Sequence, residues 1–232
     1  MTPQMNQYLA DHKKKKAIIL TSRVHPGETN ASYIMEGIIK FLTSNHKEAK
    51  ILRSNYIFKI IPMLNPDGVI YGNYRCSLLG VDLNRRWINP SKILHPTIFY
   101  TKQIVKMMDI DRSVEMFTDI HGHSRKFNIF TYACCYNEST LEARNNAFIK
   151  IFPAILNERI ESFSLKDCRF ANEKEKEATA RMVMFKEFSI INSYTLEASF
   201  YGTEPPEPEE ESAYEEEFEE EKEEKEEKED QL

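Results

Sequence analysis

An apolar, β-branched run from Ala17 to Val24 opens directly onto His25-Pro26-Gly27-Glu28, and a helical pattern begins immediately afterwards. Ile34, Ile38, Phe41 and Leu42 recur at helical spacing over 30–44, so the stretch predicts a buried strand, a tight turn and an amphipathic helix. Pro26 restricts φ and Gly27 relaxes it, which lets the turn hold an imidazole and a carboxylate toward one point beyond the carboxyl end of the strand. Zinc accepts both groups, and a catalytic site needs one more protein ligand and an open position. Taken alone, His-x-x-Glu fits a surface histidine beside a helix-starting glutamate equally well.

Downstream, Tyr56 to Pro62 predicts a second buried strand, closed by the turn signal Asn65-Pro66-Asp67-Gly68. Strand, helix and strand together imply a parallel unit. Tyr71 to Asn89 is polar and aperiodic yet crowded with Asn73, Arg75, Asp82, Asn84, Arg85 and Arg86, as functional loops are. A helix is expected over 97–109 and a strand over 114–120 that runs into His121-Gly122-His123. Further on, a strand is expected over 127–133, a helix over 141–156 and an alternating strand over 193–199. From Glu158 to Met182 the pattern is weak. Glu197 stands out, because a carboxylate within a core-like strand costs several kcal/mol unless it faces a cleft, a partner or, on an edge strand, water.

Charge divides the chain. From Glu204 onward lie 17 acidic and 3 basic residues, which leaves 28 basic and 20 acidic residues before it, a net charge of +8. The body therefore favours acidic partners. The Glu- and Lys-rich end is expected to be a disordered tail over 204–232, and the lysine-rich start over 1–16 a flexible lead-in. Four cysteines without a paired spacing suit a reducing compartment. No run of about 18 apolar residues, the length a membrane span needs, occurs. A soluble, cytoplasmic chain without membrane partners is expected.

Two close ligands and a distant one, His25, Glu28 and His121, together with Asn84-Arg85 after Gly80-Val81-Asp82-Leu83 and Tyr194-Thr195-Leu196-Glu197 near the end, resemble the zinc metallocarboxypeptidases of the carboxypeptidase A type. His25-Pro26-Gly27-Glu28-Thr29-Asn30, Asn65-Pro66-Asp67-Gly68-Val69, Gly72-Asn73-Tyr74-Arg75-Cys76-Ser77 and Asp119-Ile120-His121-Gly122-His123 are similar to the cytosolic carboxypeptidases, the branch that removes glutamates from tubulin and other acidic tails. The resemblance covers about Lys16 to Gly202, so 17–203 is expected to be the catalytic domain. It implies an α/β three-layer sandwich, a mixed and mostly parallel twisted sheet with helices on both faces. Only the short segment before Ala17 precedes the first motif strand, which leaves open a shortened chain lacking the family's N-terminal sheet strands.

For the site, the resemblance implies one Zn2+ per chain held by His25, Glu28 and His121, with Asp82 behind His25. Glu197 would act as general base and then acid, and Arg75 would stabilise the oxyanion. Asn84 and Arg85 would grip the substrate's terminal carboxylate, and Arg181 would lie near the floor of the pocket for the last side chain, favouring glutamate. The implied partners are acidic C-terminal tails such as tubulin's rather than nucleic acid, with a place near microtubules or cilia. The tyrosine that the classical enzymes bring over the substrate has no counterpart in Ala171 to Ala180. Two other readings share these residues: a zinc amidohydrolase that releases an acyl group from an amino acid, and a weakly active chain that binds acidic tails.

Overall fold

A computed structural model describes residues 2, 11, 12 and 14–205. The expected lead-in is therefore described only in part, and of the expected acidic tail only Glu204 and Pro205 fall among the described residues. The first apolar run forms β1 (Lys16–Ser22), α1 (Thr29–Thr43) follows the His-Pro-Gly-Glu turn, and the second run forms β2 (Tyr56–Ile61). Between α1 and β2 lies α2 (Lys47–Asn55), a charged helix that buries Ala49 and has no periodic apolar stripe in the sequence to announce it. The turn signal after β2 proves to be a helix start. Asn65 accepts the Gly68 N–H at 3.1 Å, and Pro66 stands where no intrahelical donor is needed, so α3 (Pro66–Ile70) begins there.

The remaining elements are α4 (Pro96–Asp111), β3 (Val114–His123), β4 (Ile129–Ala133), α5 (Asn146–Arg159), β5 (Arg169–Phe170), α6 (Ala180–Phe188) and β6 (Asn192–Ser199). They form one sheet in the order β2-β1-β3-β6-β4-β5. Every neighbouring pair is parallel except β4 with β6. The mixed, mostly parallel sheet expected from the sequence is thus present, and among the described residues β2 forms one edge of it.

Alternation within β1 assigns the layers, because successive strand residues face opposite sides. Ala17 and Ile19 pack with Phe117 of β3, Ile98 and Val105 of α4, and Val183 and Met184 of α6. Ile18 and Leu20 pack instead with Ala31 and Met35 of α1 and with Ile120 of β3. Helices therefore cover both faces. Ile19 and Phe117 are wholly buried, each worth about 1.5–3 kcal/mol relative to exposure. Phe41, expected within the inner stripe of α1, is 40% exposed; Ala31, Met35 and Leu42 are the residues that helix buries.

For β6, an edge position would have exposed the Thr195-Glu197-Ser199 face. The strand lies between β3 and β4 instead, so Tyr194, Thr195, Glu197 and Ala198 are all buried. The parallel strands β1, β3 and β6 end on the same side of the sheet. In open α/β sheets that edge is where ligands bind.

Candidate metal centre and substrate cleft

Three features shape the turn leaving β1. Arg23 adopts a left-handed conformation, φ 58°, a strained state for a residue with a side chain. Its guanidinium reaches forward, with Nε donating to the Pro26 carbonyl at 2.8 Å and a terminal nitrogen to Ser32 Oγ at 2.6 Å, so the bend is braced from both sides. Gly27 donates its N–H to the Tyr74 carbonyl at 2.7 Å, and a Cβ there would run into the Tyr74 ring. The absence of a side chain at Gly27 thus lets the loop carrying Arg75 and Asp82 close over His25.

His25 and Glu28 leave this turn on one side and meet His121, which projects from β3. His25 Nδ1 lies 2.7 Å from Glu28 Oε1, and His121 Nδ1 lies 3.0 Å from Glu28 Oε2. One donor atom from each residue falls within 4.8 Å of the others, and all three residues are buried. On the far side of each ring, His25 Nε2 is 3.1 Å from Asp82 Oδ1 and His121 Nε2 is 2.8 Å from Asp119 Oδ2. Each ring thus has a carboxylate on either side: in the metal-free chain Nδ1–H donates to Glu28, and with a cation bound the carboxylate behind Nε2 would hold the remaining proton there and leave Nδ1 to the metal. Two imidazole nitrogens and one carboxylate oxygen, each already aimed at the others, form a donor set that fits Zn2+.

Electrostatics agree with that reading. Burial opposes ionisation of Glu28, yet hydrogen bonds from His121 and His25 hold its pKa far below the usual carboxylate range. Burial likewise opposes charge on His121, but Asp119 and Glu28 on its two sides raise its pKa well above that of an ordinary imidazole. Negative charge concentrated around two rings is what a divalent cation would neutralise.

Glu197 lies directly opposite His121 in the β3–β6 register. It is 9% exposed, and burial pushes its carboxyl up to about 7. That value suits a group that must both take and return a proton near neutrality. Glu197, His25, Glu28 and His121 line one cleft of about 510 Å³ together with Arg75, Asn84, Arg85 and Arg181. The structure thus brings every residue given a role at the site to this cleft or, for Asp82, behind His25 and Arg75, while Asn73 and Arg86 do not line it.

Details differ from the simplest expectation. Arg75 is committed to Asp82, its Nε donating to Oδ2 at 3.0 Å. Asp82 therefore bridges His25 and Arg75 while also accepting the Asn84 N–H at 2.8 Å. The Asn84 side-chain oxygen accepts the Ala180 N–H at the start of α6, 3.0 Å away, so only its amide N–H groups remain for a ligand. Arg181, in the first turn of α6, is 5% exposed, its guanidinium 5.5 Å from the centre of the Tyr132 ring, and its Nε has no hydrogen-bond partner. Burying a cation without an anion is costly, so an unpaired arginine at a cleft wall marks a place for a negative group.

Several lining residues went unremarked in the sequence: Tyr132, Arg125, Arg169 and Lys176. Asp119 entered only as the first residue of the Asp119-Ile120-His121-Gly122-His123 motif, without a role, although it stands two residues before His121 on one strand and so shares its face, a signal that strand periodicity carries.

A family model described as "Zinc carboxypeptidase" matches residues 3–223. Cytosolic carboxypeptidase 1 of Xenopus laevis is 46% identical over 212 residues, which cover 86% of this chain and 17% of that protein. Among solved structures, a metallo-carboxypeptidase from Burkholderia cenocepacia superposes with a TM-score of 0.71 at 26% identity, over 80% of this chain and 48% of the other. A metallo-carboxypeptidase from Pseudomonas aeruginosa gives a TM-score of 0.70 at 27% identity, over 81% and 49%. The chain therefore spans less than a fifth of the Xenopus relative and about half of each solved chain. No helix among the described residues is long and apolar enough to cross a membrane.

Proposed function

Because the chain belongs to the zinc carboxypeptidase family, we propose that it is a metallocarboxypeptidase whose catalytic unit, 17–203, removes glutamate from the C-termini of acidic protein tails, tubulin's among them. The observation that carries the reading is the pairing of Glu197 with His121 across β3 and β6, beside a buried His-Glu-His donor set. His25, Glu28 and His121 would hold one zinc ion through both Nδ1 atoms and a Glu28 oxygen. Bound zinc would supply Lewis acidity, which activates water and polarises a carbonyl.

The chain's own residues account for the rest. Glu197 takes a proton from the attacking water and delivers it to the amine that leaves. Arg75, held by Asp82, offers its remaining N–H groups to the oxyanion. Arg85 and the free amide of Asn84 bind the terminal carboxylate, which limits cleavage to the last residue. Arg181 receives the side-chain carboxylate of that residue. Its unpaired Nε and the cations of the cleft, Arg125, Arg169 and Lys176, favour acidic over basic or aromatic termini. The names of the relatives support a cytosolic setting, and a tubulin substrate would add association with microtubules or cilia.

Cleavage of matched peptides ending in Glu, Lys and Phe tests the specificity. Glu is expected to be released fastest, and faster release of Phe or Lys would overturn it. Arg181→Leu is expected to reduce kcat/KM for the Glu peptide by about 10- to 150-fold, the loss of a charge-assisted hydrogen bond worth ~1.5–3 kcal/mol, while changing the Phe peptide little. An equal loss on both peptides would argue against contact with the acidic side chain.

A further inference from the structure

The two histidines of the centre are not supported alike. Asp82, behind His25, sits in the loop that also carries Arg75 and Asn84, and its carboxylate is shared among three partners. Asp119, behind His121, is wholly buried within the sheet. One of its oxygens lies 2.8 Å from His121 Nε2, and the other accepts the Thr21 hydroxyl at 2.7 Å. The sheet itself builds this arrangement. Thr21 stands opposite Asp119 in the parallel β1–β3 register, and Asp119 and His121 are alternate residues of β3 on one face.

We propose that Asp119, clamped by Thr21 across the β1–β3 register, is the positioning residue that orients His121 and raises its affinity for the metal. A fully buried carboxylate is expensive unless both oxygens are satisfied, and here one is satisfied by a neighbouring strand and the other by the ring. The imidazole cannot rotate without breaking its bond to a group anchored in the middle of the sheet. Asp119 also favours the proton on Nε2 and increases the electron density at Nδ1, the atom facing Glu28. The assignment rests on the zinc reading above, which names His121 as a donor.

Zinc dissociation constants of the full-length chain and its variants, measured by competition with a chelator, test it alongside the visible spectrum of the cobalt-substituted protein and the thermal midpoint of the metal-free protein. Asp119→Asn, nearly identical in shape, is expected to weaken zinc binding about 10–100-fold and to alter the cobalt spectrum. Thr21→Val, which acts on the metal only through Asp119, is expected to weaken it less, about 2–10-fold. A purely structural Asp119 would lower the metal-free midpoint yet leave the constant, measured well below that midpoint, within twofold of the parent, and that result overturns the proposal. If Asp119→Asn does not fold, Thr21→Val decides, with an unchanged constant as the overturning result. A parent chain that takes up no zinc overturns the metal reading itself, and is distinct from a parent that binds while Asp119→Asn binds equally.

Discussion

Glu197→Gln is expected to reduce kcat about 10²–10⁴-fold, the usual contribution of a positioned acid–base group, while zinc content stays that of the parent chain. Glutamine preserves the shape of the side chain but cannot take the proton from water or return it to the leaving amine. Since Glu197 stands beside the His25, Glu28 and His121 donor set and not within it, metal retention separates lost chemistry from lost binding. A variant within tenfold of the parent would remove Glu197 from the reaction.

The same substitution has an opposite effect on stability. Burial raises the Glu197 carboxyl from 4.5 to about 7, so the metal-free folded chain holds this proton more tightly than the unfolded chain does. The associated stability is complete below about pH 4.5 and is lost as pH rises through about 7. By pH 8 the parent has lost about 3 kcal/mol that glutamine, which does not titrate, retains. Metal-free Glu197→Gln is therefore expected to gain about 6–12 °C over the parent at pH 8 relative to its difference at pH 4.5. Parallel midpoint curves across that range would show that the carboxyl is not buried as described. Catalytic groups held at a cost to stability are expected where function requires them.

Glu28→Gln is expected to have the other large effect. Both Nδ1 atoms face this carboxylate, and it also accepts the Gly122 N–H at 3.1 Å, so it is the common centre of the donor set. Zinc binding energies of ~10–16 kcal/mol shared among three or four donors put one donor at ~3–5 kcal/mol. Losing the charged donor should weaken zinc binding about 10²–10⁴-fold and abolish turnover at zinc concentrations that saturate the parent. Glu197→Gln without activity but with zinc, against Glu28→Gln without either, is the expected contrast. Full zinc retention by Glu28→Gln would dissolve the proposed centre.

Much of this could be read before any coordinates. The apolar run into His25-Pro26-Gly27-Glu28 located β1, its turn and α1, because strand and helix periods are properties of neighbouring residues. Glu197 within β6 stood out for a similarly local reason, a carboxylate where the pattern called for an apolar residue, and His121 because the strand over 114–120 runs directly into it. Elements without a period stayed hidden. In α6 every residue from Ala180 to Phe185 is buried, so the helix has no polar face to reveal its turn, whereas α2 buries too little to show an apolar one. Asp119 stood in its motif without a role although its spacing from His121 was in plain view, since nothing local says that a strand aspartate will find a threonine nearly a hundred residues away.

Amino-acid order alone determined which residues could bind a cation or move a proton, and which stretches would be strands, because side-chain chemistry and backbone preference act over a few bonds. Strand order and register decided the rest. They set Glu197 against His121, Thr21 against Asp119, and the unpaired Arg181 guanidinium in the wall of the same cleft. Those meetings depend on how a six-stranded sheet buries apolar area on both faces at once, which no stretch of the chain can specify alone.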